Sequence, residues 1–157
     1  MVLRAVILWV HVLCGVAWVG ACASFVIAAA ALGGEPGESR ALALRAAPRI
    51  NRLCIVLAIA IPLTGIGNLT FAAQSHGYRL PTEFVGILTA KIGLFIVMAL
   101  ALAGAWRVTA QLTRRREANS VKKTENPANI PKLTALYGLI VAMGTLALAL
   151  GLWLSGT

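Results

Sequence analysis

The sequence predicts an all-α integral membrane protein: a four-helix, up-and-down transmembrane bundle with both termini on the outer (periplasmic) side. Three observations carry that expectation. Of the 157 residues, 59% are hydrophobic and 12% charged, against about 25% charged in ordinary soluble domains. Four apolar runs, at 2–32, 53–73, 84–106 and 133–154, each match or exceed the roughly 20 residues that cross a hydrocarbon core of about 30 Å. Basic residues collect in two of the three segments between those runs. A helix satisfies every backbone N–H and C=O of a span within the span itself, so four runs make four helices, in one domain covering 1–157.

The first run has no Asp, Glu, Lys or Arg between Arg4 and Glu35 and stops at the turn-rich Gly33-Gly34-Glu35-Pro36-Gly37. Its start has the outline of a lipoprotein signal, with Arg4, apolar residues and Val19-Gly20-Ala21-Cys22, but the apolar run continues well past Cys22. It is read as a retained first span. The segment 33–52 follows, with Arg40, Arg45, Arg49 and Arg52, helical from near Glu38. The second span ends in Pro62-Leu63-Thr64-Gly65-Ile66-Gly67-Asn68-Leu69-Thr70, where Pro and Gly loosen the helix. The third closes at Trp106-Arg107. The segment 107–132 behind it carries Arg107, Arg114, Arg115, Arg116, Lys122, Lys123 and Lys132, a charged loop into which the third helix can extend through its arginines. In the fourth span Gly144 and Gly151 stand seven apart, on one face fit for close helix contact. Trp153 suits an interfacial anchor.

The two basic segments hold eleven Lys and Arg, the opposite side only Arg4 and Arg79. The positive-inside rule therefore makes 33–52 and 107–132 cytoplasmic and puts both termini outside. The net charge of +9 is explained by topology and anionic lipid headgroups; the expected partner is the lipid bilayer, not nucleic acid. Cys14, Cys22 and Cys54 all lie in or at the edge of apolar runs, with no CxxC. An odd count of such residues reads as small buried hydrophobes rather than a disulfide framework.

The chemistry concentrates in Trp9–Phe25. His11, Cys14, Trp18 and Cys22 fall within an arc of about 80–100° and share one helix face. That face either packs against neighbours or holds a ligand. His11 lies seven residues beyond Arg4, and Lys91 lies about as deep in the third span, so both stand roughly 10 Å below the outer surface. An ionisable group there costs about 2.5–3.5 kcal/mol on insertion scales and is a functional candidate. The alternative for Lys91 is snorkelling to the interface. Thr64 and Asn68, four apart, either bond between helices or line the same pocket. His76, in the outer loop, is either an ordinary surface residue or a ligand at the pocket's entrance. Imidazole and thiolate suit copper, zinc or iron, and carboxylates for calcium or magnesium are missing from this level. Histidine with a deprotonated lysine also suits haem. No structural zinc spacing, nucleophile–base pair, phosphate loop or dinucleotide fingerprint is present in the sequence.

His11 followed by Trp18-Val19-Gly20, together with Gly86-Ile87-Leu88-Thr89-Ala90-Lys91-Ile92-Gly93-Leu94 running on to Arg107, resembles the CopD-type copper-resistance membrane domain. The likeness covers the first three spans in order and spacing. It implies a bacterial inner-membrane protein that handles copper at its outer face, with His11 as the principal metal ligand, Cys14 and His76 assisting, Lys91 tuning the charge of the pocket or bridging to an anionic group, and Trp18, Cys22, Thr64 and Asn68 as the expected pocket lining. The His and Lys pattern is also similar to that of the HemJ-type protoporphyrinogen oxidases, a likeness that ends at Gly20, where Ala21-Cys22-Ala23-Ser24 follows. That resemblance implies haem b on His11 and Lys91, or His76, and a haem-dependent membrane oxidoreductase. A third expectation, from another class, is a cofactor-free accessory subunit. The partners beyond lipid would then be other subunits of a membrane complex or, for copper, a periplasmic metal carrier.

Overall fold

A computed structural model describes residues 2–32, 36–75, 77–118 and 129–155. They form four α-helices, α1 (Val2–Ala31), α2 (Pro36–Ser75), α3 (Thr82–Ala118) and α4 (Asn129–Ser155), with no strand among the described residues. Each helix contains a stretch long and apolar enough to cross a membrane. The chain is a multi-pass, all-α four-helix bundle. Two helices are longer than their apolar runs. α2 begins at Pro36, a residue suited to the first helical turn, so the arginine-bearing part of 33–52 is helix rather than loop. α3 continues through Arg107 and Arg114 to Ala118.

The register of side-chain contacts fixes the topology. Along α1, Ile7 meets Gly67, His11 meets Gly65 and Cys22 meets Cys54, so α2 runs antiparallel to it. Gly15 against Leu148, Val19 against Gly144 and Phe25 against Tyr137 make α4 antiparallel to α1 as well. Lys91 against Gly151, Met98 against Gly144 and Gly104 against Leu136 do the same for α3 and α4. The helices therefore alternate up and down. α1 packs on α2 and α4, α3 packs on α4 and more lightly on α2. Across the diagonals, Trp18 and Phe95 join α1 to α3, and Asn51 and Tyr137 join α2 to α4.

The core is a column of Trp18, Cys22, Phe25, Cys54, Leu133, Tyr137 and Ile140, all nearly or fully inaccessible. Outside it, apolar residues such as Trp9, Leu63 and Leu100 face outward. Lipid tails are as apolar as these side chains, so burial by itself gives the helices little reason to associate; close packing and interhelical hydrogen bonds must do it. Gly144 marks the tightest approach. A Cβ there would overlap Val19 Cγ2 and lie 3.2 Å from Met98 Cε, so one missing side chain brings α1, α3 and α4 together. Val19 is β-branched and cannot swing aside freely.

Gly144→Ala is expected to destabilise the bundle by about 1–3 kcal/mol, as overpacking does. Gly138→Ala, on the same helix where a Cβ meets nothing within 4 Å, is expected to unfold like the parent. Helicity followed by circular dichroism through a mixed-micelle SDS titration checks both.

Candidate functional site

The bundle has two polar regions, one near each membrane face. The first is built on His11. Its Nδ1 lies 2.9 Å from Thr64 Oγ1 and 3.1 Å from the Ile61 carbonyl oxygen. Thr64 turns its own hydroxyl hydrogen back along α2, to Ala60 O at 2.8 Å or Ile61 O at 3.1 Å. A carbonyl can only accept, so Nδ1 carries the hydrogen and donates. The neutral ring then keeps its free lone pair on Nε2. A backbone carbonyl holding one ring N–H in this way fixes the tautomer in metal-binding histidines generally. Gly65 completes the seat: a Cβ there would stand 3.3 Å from His11 Cε1, so the ring lies against bare α2 backbone. Thr64 and Gly65 thus have a shared role, to hold the imidazole of the neighbouring helix.

Around this seat the other predicted residues are arranged unevenly. Cys14, one turn along α1, is half-buried and packs on the core. Trp18 and Cys22 complete the same face and are fully buried, so the face of α1 that carries all four residues is its packed face. Asn68 is half-buried one turn beyond Thr64. Lys91 Nζ reaches α4, where a Cβ on Gly151 would be 3.0 Å away. The α1–α4 register, carried on one further turn from the Gly15–Leu148 contact, brings His11 to the level of Gly151. His11 and Lys91 therefore share one membrane depth and are within electrostatic range, yet one engages α2 and the other α4. No carboxylate of a described residue pairs with Lys91. Among the described residues no three His, Cys, Asp or Glu side chains cluster as a metal site. His76 lies outside the described residues.

The second polar region lies toward the opposite end. Tyr137 Oη donates to Asn51 Oδ1 at 2.8 Å, Asn51 Nδ2 donates to Thr109 Oγ1 at 3.1 Å, and Thr109 donates to Ala105 O at 2.8 Å. One carboxamide thereby ties α2 to α3 and α4. Next to this chain Cys22 and Cys54 put their sulfurs 3.8 Å apart, and Phe25 stands edge-on to Tyr137 at 4.8 Å. Asn51 and Thr109 were not singled out from the sequence, because both sit in span flanks rich in arginine. The available signal was Ala47, Asn51, Cys54 and Ala58, a helical row of small and polar residues on α2. Midway between the two regions, the Trp18 indole N–H is buried with no acceptor among the described residues, an omission worth about 1–3 kcal/mol.

The chain matches no protein-family model, no curated protein and no solved structure.

Asn51→Ala leaves the Tyr137 hydroxyl without its buried acceptor. It is expected to cost about 1–2 kcal/mol, at the upper end of interhelical hydrogen bonds in membranes. Tyr137→Phe, which leaves the Asn51–Thr109 bond in place, is expected to cost less. Steric-trap or SDS unfolding of the two variants orders them.

Proposed function

We propose that the chain is a CopD-like protein of the bacterial inner membrane that binds copper at its outer face. The observation that carries this reading is the His11 seat. A helix backbone and a threonine on α2 hold Nδ1, which leaves Nε2 as a pre-oriented ligand about 10 Å inside the bundle. Cys14, three residues on, adds a sulfur donor on the same face, and a nitrogen–sulfur pair is the donor set soft metals such as copper(I) prefer. His76, from the loop that closes α2 to α3, would be the third ligand and the point of entry. Lys91 would adjust the charge of the site or hold an anion that accompanies the metal. The charge asymmetry of the sequence supports a periplasmic position for this end of the bundle, where a soluble carrier or another subunit would exchange copper with it.

A haem b reading has one observation in its favour, the common depth of His11 and Lys91. The directions of the two side chains favour copper: His11 is turned into the α1–α2 seam and Lys91 onto α4, whereas one porphyrin needs both ligands aimed at a single iron.

The test is metal analysis and visible spectroscopy of the detergent-purified protein. Stoichiometric copper, lost in His11→Ala and reduced in Cys14→Ser, is the expected result. Thr64→Val removes one of the two acceptors for Nδ1–H and is expected to weaken copper binding by about tenfold, the low end for losing a hydrogen-bond partner of a ligating histidine. A Soret band with sharp α and β bands on dithionite reduction would replace copper by haem. Neither metal nor pigment, with a partner protein co-purifying in mild detergent, would identify a cofactor-free accessory subunit.

A further inference from the structure

The α2–α3 seam is the one side of the four-helix ring where neighbours pack lightly. A groove of about 530 Å³ opens there, with Ala58 and Ile59 on one wall and Ala99, Leu102 and Ala103 on the other. Its lining on α3 begins at Trp106-Arg107 and ends at Phe95, whose ring abuts Trp18 of the core. The twelve steps from Phe95 to Arg107, at 1.5 Å each, make about 18 Å, against about 15 Å for half of a 30 Å hydrocarbon core. The groove is therefore a shallow strip about one leaflet long, running along the bundle surface from the Arg107 end of α3 to near its middle. A second groove of about 450 Å³ flanks α3 on the α4 side, between Gly104 and Leu136, with Arg107 and Lys132 at its rim. Arg107 borders both grooves. Arg107 and Lys132 are exposed, and neither pairs with a carboxylate of a described residue.

A ligand that fits needs an anionic head for two cations that have no carboxylate partner among the described residues, and an apolar tail as long as one leaflet. We propose that the inner end of α3 is a binding site for an anionic diacyl phospholipid. Its phosphate sits on Arg107 and Lys132, one acyl chain lies along the α2–α3 groove, and the other starts over the short recess at Gly104 and Leu136. The guanidinium fork gives Arg107 a bidentate fit to phosphate, and Trp106 stands at the level of the headgroup, where tryptophan prefers to be. A free phosphate ion would use the cations but leave the leaflet-long apolar walls unexplained. The site is separate from the His11 region and independent of any metal there.

Native mass spectrometry of the full-length protein in detergent, titrated with phosphatidylglycerol, phosphatidylcholine of the same chain length, or inorganic phosphate, tests the proposal. Phosphatidylglycerol adducts are expected to persist at activation energies that strip phosphatidylcholine. Arg107→Gln and Lys132→Gln are each expected to lower phosphatidylglycerol affinity about fivefold, as for the loss of one surface cation near anionic lipid. Ala99→Phe, which fills the α2–α3 groove and leaves both cations in place, is expected to lower the affinity for both lipids. Arg45→Gln, a basic residue on α2 that lines neither groove, is the control and is expected to change nothing. Equal retention of the two lipids would overturn the proposal. So would an Arg45→Gln effect as large as that of Arg107→Gln, which would mean general surface charge, or inorganic phosphate competing fully with the lipid. Circular dichroism confirms that each variant remains helical.

Discussion

The constraint on which this structure depends is that its surroundings are as apolar as its side chains. In water, a helix with an apolar stripe buries that stripe and the fold follows. Here the helices are apolar all round, and removing an outward leucine from lipid into the core gains little. What remains is contact so close that lipid cannot compete, and polar groups that find partners only in each other. Gly144 supplies the first, by admitting Val19 and Met98 into the space of its absent side chain. Asn51 supplies the second, through Tyr137 and Thr109 on the two other helices it reaches. The two act at different depths. Gly144 fixes the separation of α1, α3 and α4 near mid-bundle, and Asn51 fixes α2 against α3 and α4 toward the arginine-rich end.

The ends of the bundle use polarity differently. At the Asn51 end each named donor has an acceptor, and the chain of bonds closes on the Ala105 backbone. Such a network is structural: its groups are consumed by each other. At the His11 end the ring is held by one nitrogen, Cys14 is only half-buried, and Lys91 has no described carboxylate beside it. A bundle that needed only to fold would gain from apolar residues at positions 11 and 91, since ionisable groups at this depth are costly. Their presence, at one level and with Nε2 unused by α2, is the observation that supports the copper proposal.

How much of this could be read from the sequence follows from the same physics. Span number, length and class were legible, because backbone hydrogen bonding in hydrocarbon leaves few choices and composition records them. So was the common depth of His11 and Lys91, which needs only helix rise and topology. The shared face of His11, Cys14, Trp18 and Cys22 was legible as a face, and Gly144 as a small position on α4. Partners were not. With apolar residues on every side, α1 and α4 carry no stripe that says which way to turn, so nothing in the order of residues announced that His11 would meet Thr64 and Gly65. Asn51 and Thr109 were hidden among arginines that mark the interface, where a polar residue attracts no notice. Helical continuity through those arginines, from Pro36 in α2 and to Ala118 in α3, was only partly visible, because polar composition alone does not distinguish a helix that has left the membrane from a loop.

The lightly packed α2–α3 seam follows from the chemistry of α2. Pro62 has no N–H to offer the Ala58 carbonyl and its ring crowds that turn, on the stretch of α2 that faces the groove. Across the gap α3 presents Ala99 and Ala103. Small residues on both sides would allow the helices to touch, as they do at Gly144, but α2 is already committed elsewhere: Gly65 and Gly67 hold it to α1 at one end and Asn51 holds it to α3 and α4 at the other. Between these fixed points α2, with Pro62 in its continuous helix, packs only lightly on α3. A cleft of this size with apolar walls and a bilayer on its open side forfeits dispersion contacts along its whole length while unfilled, and the material at hand to fill it is an acyl chain. The same α2 that seats His11 therefore shapes the lipid-facing groove, and the two regions are linked through the path of one helix rather than through any shared side chain.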